Sequence, residues 1–265
     1  MSKERLDSLL VRLNLCSSRS LAQRLIRAGE VKVNDRVADK PGMEVNCDAR
    51  VEVKEKPPYV SRGGEKLKKA LDTFNLAVAG RIALDGGIST GGFTDCLLQA
   101  GACQVYGVDV GYGQVAWSLR QDERVVLKER TNLRYLKPDA LYGDNPRADL
   151  GVVDVSFISL RKILPALWEL LNAPREAVLL VKPQFEVGRD RVGKKGVVRD
   201  SQDRAGAIWQ VLQSARSLGW RDRGLTVSPL VGPAGNVEYL LWLDCQSSSP
   251  SLDLDSILRV VETGN

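Results

Sequence analysis

Short apolar segments alternate with amphipathic helical segments through most of the chain after residue 60. The strand-like segments cover residues 81–84, 104–110, 149–155 and 177–181, and helical patterns such as 160–171 and 205–218 lie between them. Strands that alternate with helices predict a parallel, doubly wound α/β sheet. Ligands of such sheets bind beyond the carboxyl ends of the strands, so we expect the functional residues there.

The turn after the first of these strands is rich in glycine. It reads LDGGISTGGFTD over residues 84–95, which is neither a Walker A loop nor a GxGxxG fingerprint. Asp85 at its mouth disfavours a pyrophosphate and suits a cationic ligand. Asp109 ends the next strand, where dinucleotide-binding folds hold ribose hydroxyls. A ligand with a ribose, a positive charge and no phosphate is S-adenosylmethionine, so the loop predicts a Rossmann-like methyltransferase. The alternative is a tight turn without a ligand.

Composition excludes several kinds of chemistry. The chain has no histidine, which removes Ser/His/Asp hydrolysis, Cys/His proteolysis and histidine-ligated zinc. Its five cysteines form no CxxC pair, which favours reduced thiols in a cytoplasmic protein over a metal site or disulfides. No apolar run approaches the roughly 18 residues of a membrane span, and the N-terminus lacks a signal-peptide core. We therefore expect no metal and no membrane partner.

The basic charge of the chain lies in its first quarter. Residues 1–70 contain 16 Lys and Arg against 10 Asp and Glu, whereas the other 195 residues carry a net charge of −1. A basic segment of this kind is either a solvated surface or a site for nucleic acid.

The N-terminal segment has the pattern of a small α+β domain. Leucines at 6, 9, 10 and 13 recur at helical spacing, a second helix is expected before Gly29, and valines alternate on both sides of Asn34. The paired prolines Pro57 and Pro58 indicate an extended linker. We expect a domain at 1–56, a linker at 57–61, a larger domain at 62–245 and a tail with a short helix at 246–265.

The segment 5–53 resembles the alpha-L, S-four-type RNA-binding domain. The resemblance rests on Arg-Leu-Asp at 5–7, Ser-Arg at 18–19, Gly-Glu-Val-Lys-Val-Asn at 29–34 and Pro-Gly at 41–42. It implies that the helix pair and the turn before the hairpin hold structured RNA. The cations that we expect at the phosphates, some of which could instead be solvated surface charges, are Arg5, Arg19, Arg24, Arg27, Lys32 and Arg62.

The strand ends indicate which atom receives the methyl group. Amino-group methyltransferases of nucleic acids carry an Asn/Asp-Pro-Pro-aromatic turn, but the sequence after Asp154 is Val-Ser-Phe. The 5-methylcytosine enzymes need a cysteine there, and none is present. The strand ends carry Asp154 and Lys182 instead.

Phrases along nearly all 265 residues resemble the TlyA family, the hemolysin-A-like 2′-O-ribose rRNA methyltransferases within the FtsJ-like group. They are VSRGGEK at 60–66, STGGFTD at 89–95, VDVGYGQ at 108–114, ERTN at 129–132, DVSFISL at 154–160, VKPQFE at 181–186, GVVRD at 196–200 and GNVEY at 235–239. Ile88 departs from the alanine usual in the family, which bears on local loop packing. The resemblance implies methylation of a cytidine in large-subunit rRNA and, for some members, in small-subunit rRNA. The implied partner is ribosomal RNA or a ribosomal subunit.

The resemblance also implies the site residues. The family's catalytic tetrad corresponds to Lys66, Asp154, Lys182 and Glu238. A ribose hydroxyl is a poor nucleophile until it is deprotonated or held by a strong hydrogen bond, and most of the rate gain comes from positioning. Lys182 would act as base or hydrogen-bond partner, and the two carboxylates would orient the lysines.

We expect the cofactor to contact the glycine loop, the acid that ends the second strand and the residues after the third strand. These are Asp85, Gly86, Gly87, Ser89, Thr90, Gly91, Phe93, Asp109, Glu129, Arg130, Asn132 and Asp154. The basic, glycine-rich stretch 188–199 is interpreted as a mobile loop over bound RNA, or as a merely solvated loop. The competing functions are a membrane-active haemolysin and a non-catalytic ribosome-assembly factor. A pseudouridine synthase would share the N-terminal domain but needs no such cofactor loop.

Overall fold

The computed structural model describes residues 2–54, 57–246 and 251–264 and divides into two compact units, Met1–Pro57 and Pro58–Asn265. Among its described residues, the first unit contains two helices and five short strands. In chain order they are β1 Lys3–Arg5, α1 Leu6–Arg12, α2 Arg19–Arg27, β2 Val31–Val33, β3 Arg36–Ala38, β4 Glu44–Asn46 and β5 Val51–Val53. β2 pairs with β3 and β5, and β1 pairs with β4, all antiparallel. The predicted α+β fold of this unit is confirmed.

The core of the first unit is formed by the leucine stripe of α1. Leu6, Leu9 and Leu10 are fully buried and pack with Ile26 of α2 and Val31 of β2. Ser18 caps α2, because its hydroxyl accepts a hydrogen bond from the backbone N–H of Leu21 at 3.3 Å. The amphipathic spacing seen in the sequence therefore sets the packing of this unit.

The second unit contains a seven-stranded sheet in the order β11-β12-β10-β9-β6-β7-β8. The strands are β6 Ile82–Gly86, β7 Gln104–Val108, β8 Val125–Lys128, β9 Leu150–Val153, β10 Glu176–Val181, β11 Arg221–Val227 and β12 Tyr239–Asp244. β6 to β10 are parallel, whereas β11 and β12 are antiparallel at one edge. The predicted doubly wound sheet is confirmed.

Helices cover both faces of this sheet, and each face has its own apolar core. The helices are α3 Gly63–Phe74, α4 Gly92–Gln99, α5 Trp117–Arg120, α6 Pro138–Tyr142, α7 Leu164–Leu170, α8 Pro183–Glu186, α9 Ser201–Ser217 and α10 Leu254–Thr263. Within the described ranges, none of the helices has the length and apolar character that a membrane span requires.

The strand order reverses at β6. The chain proceeds from β6 outward to β7 and β8, and it then returns to place β9 and β10 on the other side of β6. A crevice opens beyond the carboxyl ends of the strands at such a switch point. The glycine loop follows β6 and Asp154 follows β9, so the fold brings both to this crevice.

Candidate active site

Two pockets of about 530 and 550 Å³ open at the carboxyl edge of the parallel strands. Both have a size typical of small-molecule sites. The first, here called the lysine pocket, is lined by Arg62, Lys66, Thr90, Phe93, Lys182 and Glu238 among others. The second, the Asp109 pocket, is lined by Asp109, Gln114, Thr131, Asn132 and Ile163 among others. Gly87, Ser89, Asp154 and Ser156 line both pockets, so the two pockets adjoin at these four residues.

Backbone amides orient the carboxylate of Asp109. Its Oδ2 accepts a hydrogen bond from Ser89 N at 2.8 Å, and its Oδ1 accepts one from Gly111 N at 2.7 Å. Each carboxylate oxygen retains a lone pair for a further donor. Asp109 is therefore fixed and still able to accept hydrogen bonds from two vicinal hydroxyls.

The residues after β8 only partly follow the prediction. Asn132 lines the Asp109 pocket. Glu129 instead pairs with Arg120 of α5 at 2.7 Å and accepts the backbone N–H of Gly113, and Arg130 stacks over the Tyr112 ring at 4.3 Å. The hydrogen bonds from Arg120 hold the pKa of Glu129 below its usual range. Glu129 and Arg130 therefore have partners within the protein, and neither residue lines the Asp109 pocket.

The glycine loop lets the backbone approach the end of β9. Gly87 has φ +87°, and a Cβ there would lie 2.3 Å from the carbonyl oxygen of Asp154. Gly91 has φ +101°, and a Cβ there would meet the Leu119 side chain at 2.3 Å. Only glycine combines this conformation with this space. Of the predicted loop contacts, Gly87, Ser89, Thr90 and Phe93 line the lysine pocket, whereas Gly86 and Gly91 pack against protein.

Asp85 is placed differently from the prediction. Its side chain is fully buried inside β6, where Oδ2 accepts the Thr94 hydroxyl at 2.7 Å and Oδ1 has no hydrogen-bond partner among the described residues. Burial raises the pKa of this carboxyl to about 7. Asp85 therefore does not line either pocket. Its carboxylate can act on a cation in the crevice only through space.

The lysine pocket contains two pairs of a lysine and a carboxylate. Lys66 Nζ lies 2.6 Å from Glu238 Oε2, and Lys182 Nζ lies 2.5 Å from Asp154 Oδ1. Lys182 also donates to the Ser156 hydroxyl at 2.9 Å. Glu238 is 1% exposed and Lys182 is 9% exposed, so the charges are largely removed from water. The fold thus brings together all four residues of the tetrad expected from the sequence.

Strand register explains why these distant residues meet. β10 and β12 pair with Val181 opposite Tyr239, so Lys182 follows β10 at the point where Glu238 precedes β12. Asp154 continues β9 by donating its backbone N–H to Gly86 O at 2.9 Å. Lys66 comes from α3, whose start packs closely on α4 because Gly92 lacks a side chain: a Cβ there would lie 2.8 Å from Gly64 N.

Ser156 is a residue of this site that the sequence reasoning did not single out. Its hydroxyl contacts Lys182, and it lines both pockets. The only signal in the sequence was its position two residues after Asp154, because alternate residues of an extended segment point to the same side.

The cations expected to bind RNA fall into separate groups. Arg5 and Arg19 each lie about 3 Å from the carboxylate of the fully buried Asp7, and Gln23 also donates to it. The Arg5 guanidinium holds the pKa of Asp7 well below its usual range. Arg24 and Arg27 line a surface groove with Ser18 and Ser20, and Lys32 lines a different one with Gly29 and Lys54. Arg62 belongs to the second unit and lines the lysine pocket.

One end of the basic stretch 188–199 is fixed beside the lysine pocket. The amide of buried Asn236 donates to Gly196 O at 2.8 Å and accepts the Val198 N–H at 2.9 Å. The stretch also contains two short 3-10 helices, Arg189–Arg191 and Lys194–Gly196. Over the part of the chain described by the structure, no group of three or more His, Cys, Asp or Glu residues could hold a metal ion.

The donor groups of the site match the chemistry of S-adenosylmethionine. Three features fit a cation that carries a ribose. Asp109 is fixed so that it can accept ribose hydroxyls, Asp85 has an unpaired buried oxygen behind the loop, and the glycine turn has no room for side chains. No basic residue lines the Asp109 pocket to hold a pyrophosphate, among the residues described. The residues present therefore fit this cofactor.

Comparison with known proteins supports the same conclusion. The profile of the FtsJ-like methyltransferase family matches residues 59–245, and that of the S4 domain matches residues 4–51. The chain is 48% identical over 268 residues to the 16S/23S rRNA (cytidine-2′-O)-methyltransferase TlyA of Mycobacterium tuberculosis, covering 99% of this chain and 98% of that protein. It is 40% identical to Hemolysin A of Brachyspira hyodysenteriae, covering 89% of this chain and 98% of the relative.

A solved structure extends this likeness to the fold. A protein from Streptococcus thermophilus described as a candidate hemolysin superposes with a TM-score of 0.74 and is 44% identical, covering 100% of this chain and 96% of the other. The chain therefore belongs to the TlyA family of FtsJ-like, S-adenosylmethionine-dependent methyltransferases and carries an N-terminal S4 domain.

Proposed function

We propose that this protein methylates the 2′-hydroxyl of a cytidine in ribosomal RNA, in the large subunit first and in the small subunit as a second target. The observation that carries the proposal is the pair of lysine–carboxylate contacts in a pocket that shares four wall residues with the Asp109 pocket. The activity named for the Mycobacterium tuberculosis relative supports the choice of cytidine and of both rRNAs.

In this proposal the Asp109 pocket holds the cofactor. Asp109 would accept the ribose hydroxyls, Asn132 and Thr131 would hold the adenine, and Gly87 and Ser89 would hold the amino-acid portion. When bound, S-adenosylmethionine supplies a methyl group activated by its sulfonium charge. Asp154, at the border of the two pockets, stabilises positive charge on both sides.

The lysine pocket holds the acceptor nucleotide. The bound cofactor would give its methyl carbon to the hydroxyl oxygen with loss of the carbon–sulfur bond, and it would leave as a neutral thioether. The hydroxyl proton passes to Lys182 Nζ in its neutral amine form, and Asp154, 2.5 Å away, stabilises the ammonium that results. The total charge of the site is unchanged by this step. The positive charge lies on the sulfonium before the transfer and on Lys182 after it, on opposite sides of Asp154. The fixed carboxylate therefore stabilises the charge in both states.

Lys66 and Glu238 position the acceptor. Glu238 is almost fully buried and holds Lys66 Nζ at 2.6 Å, so the lysine cannot turn freely toward solvent. An ammonium group fixed at the wall of the pocket hydrogen-bonds ribose and phosphate oxygens of the acceptor strand. Exact placement of the hydroxyl in line with the methyl group is where most of the rate enhancement arises.

The N-terminal unit supplies affinity for RNA. Asp7 holds Arg5 and Arg19 in a fixed pair while both arginines remain about half exposed. Two guanidinium groups ordered in advance lose little side-chain entropy when they bind phosphates.

Ribose-methylation mapping tests the function directly. Large- and small-subunit rRNA would be compared between a deletion strain, the same strain with the wild-type gene, and the same strain with Lys182→Ala. We expect a methylated cytidine of the large subunit, and a second one of the small subunit, to disappear on deletion and to return only with the wild type. An unchanged map in the deletion strain would reject the proposal, and restoration by Lys182→Ala would reject the assigned chemistry.

A further inference from the structure

Ser156 and Asp154 hold the same nitrogen atom. Lys182 Nζ lies 2.5 Å from Asp154 Oδ1 and donates to Ser156 Oγ at 2.9 Å. The nitrogen is tetrahedral, and one of its four positions is taken by the lysine chain. The contact with Asp154 is an ion pair in which the carboxylate oxygen is not aligned as a hydrogen-bond acceptor, whereas the hydrogen bond to Ser156 fixes rotation about the last side-chain bond. The directions of the other positions on the nitrogen are then set, whether they carry a hydrogen or a lone pair.

The ion pair with Asp154 alone would not fix this rotation. A nitrogen held only by Asp154 could still rotate about the last side-chain bond, so the directions of its other positions would vary. The second contact therefore converts a charged group with free rotation into an oriented one. The orientation of Lys182 matters because a reacting hydroxyl must lie within hydrogen-bond reach and in line with the methyl group.

The location of Ser156 agrees with this role. It is exposed, and it is one of the four residues that line both pockets, at the border that the methyl group must cross in the proposed reaction. Lys182 by contrast is almost buried, so its amino group has little water with which to replace a lost partner.

We propose that Ser156 is a positioning residue for the methyl transfer, because its hydroxyl fixes the rotation of the Lys182 amino group and directs its free position at the acceptor hydroxyl. This inference rests on the proposed function. It adds to the four charged residues a neutral one that acts through Lys182.

Three variants at this position and one control test the inference in the full-length protein. Ser156→Ala removes the acceptor, and Ser156→Thr keeps a hydroxyl at the same branch. Ser217→Ala, at the exposed end of α9 and outside both pockets, controls for the loss of a serine hydroxyl. Ser156→Val has the shape of threonine without the hydroxyl and separates bulk from hydrogen bonding.

Single-turnover methylation of rRNA at saturating cofactor is measured beside cofactor binding by calorimetry. Losing a hydrogen bond to a charged group should slow Ser156→Ala and Ser156→Val by about 10- to 100-fold. Ser156→Thr and Ser217→Ala should stay close to the wild-type rate. Cofactor affinity should remain within about threefold in all variants, since none of them changes a proposed cofactor contact.

The outcomes separate this inference from the proposed function. An active wild type with an equally active Ser156→Ala would overturn the inference alone. A slow Ser156→Ala that Ser156→Thr does not rescue, or a loss of cofactor affinity that matches the loss of rate, would overturn it as well. Absence of methylation by the wild type would overturn the proposed function and the inference with it.

Discussion

Lys66 Nζ lies 2.6 Å from Glu238 Oε2, although 172 residues separate the two in the chain. The side chain of the glutamate is 2% exposed and that of the lysine 13%, so each charge depends on the other. Removing one member of such a pair leaves an uncompensated charge in a poorly hydrated site.

The first prediction concerns the stability of this pair. Lys66→Met should lower the free energy of unfolding by about 3–5 kcal/mol because it leaves the Glu238 carboxylate unpaired. The double variant Lys66→Met with Glu238→Gln should be more stable than that single variant. Urea unfolding of the single and double variants measures this coupling. Additive losses would show that the two residues do not depend on each other.

The second prediction concerns the pH dependence of stability. Burial raises the pKa of Asp85 from 3.8 to about 7, so between these pH values the folded protein holds a proton that the unfolded chain has lost. The free energy of unfolding should therefore fall as pH rises through this window, by up to about 4 kcal/mol from this residue.

Asp85→Asn provides the test of that prediction. The amide oxygen can still accept the Thr94 hydroxyl, and the variant has no charge to desolvate. It should lose the fall in stability between pH 4 and 7 and exceed the wild type in stability at pH 8. Urea unfolding at several pH values would contradict the assignment if both proteins gave the same slope.

The third prediction concerns the glycine loop. Gly87→Ala forces a Cβ to within 2.3 Å of Asp154 O, so the loop or the end of β9 must move. Cofactor affinity should fall at least tenfold, or about 1.4 kcal/mol. Gly80→Ala is the matched control, because Gly80 has φ +75° and open space around its Cβ position. It should lose about 1–3 kcal/mol of stability from backbone strain and keep its cofactor affinity. Equal cofactor affinities of the two variants would contradict this account.

The sequence predicted the parallel sheet correctly because buried parallel strands form continuous apolar runs. It did not predict β11, whose sequence RDRGLTV contains three charged residues and a glycine and has the pattern of a turn. It located the lysine–carboxylate tetrad through family phrases, since register across β10 and β12 cannot be read from spacing. The sequence placed Asp85 at the mouth of the loop. In the structure Asp85 belongs to β6, whose side chains alternate between the two faces, and its side chain points to the interior. Ser156 was missed because its position two residues after Asp154 is the only signal that the sequence offers for it.

The fourth prediction concerns RNA affinity. Arg19→Ala with Arg24→Ala should weaken RNA binding and reduce its salt dependence by about 0.7–0.9 log units per lost phosphate contact. Cofactor binding, measured by calorimetry, should be unchanged, because both arginines lie in the first compact unit. Unchanged RNA affinity at several salt concentrations would show that the phosphates bind elsewhere.

The central claim is that Lys182 receives the proton of the acceptor hydroxyl, and single-turnover methylation of rRNA by Lys182→Arg at several pH values tests it most directly. Arginine keeps the positive charge beside Asp154 but cannot be deprotonated at working pH. We expect Lys182→Arg to be slower than the wild type by about 10²–10⁴-fold, nearly as slow as Lys182→Ala, with cofactor binding largely retained in both. Near-normal turnover by Lys182→Arg would contradict the account and leave Lys182 only an electrostatic role.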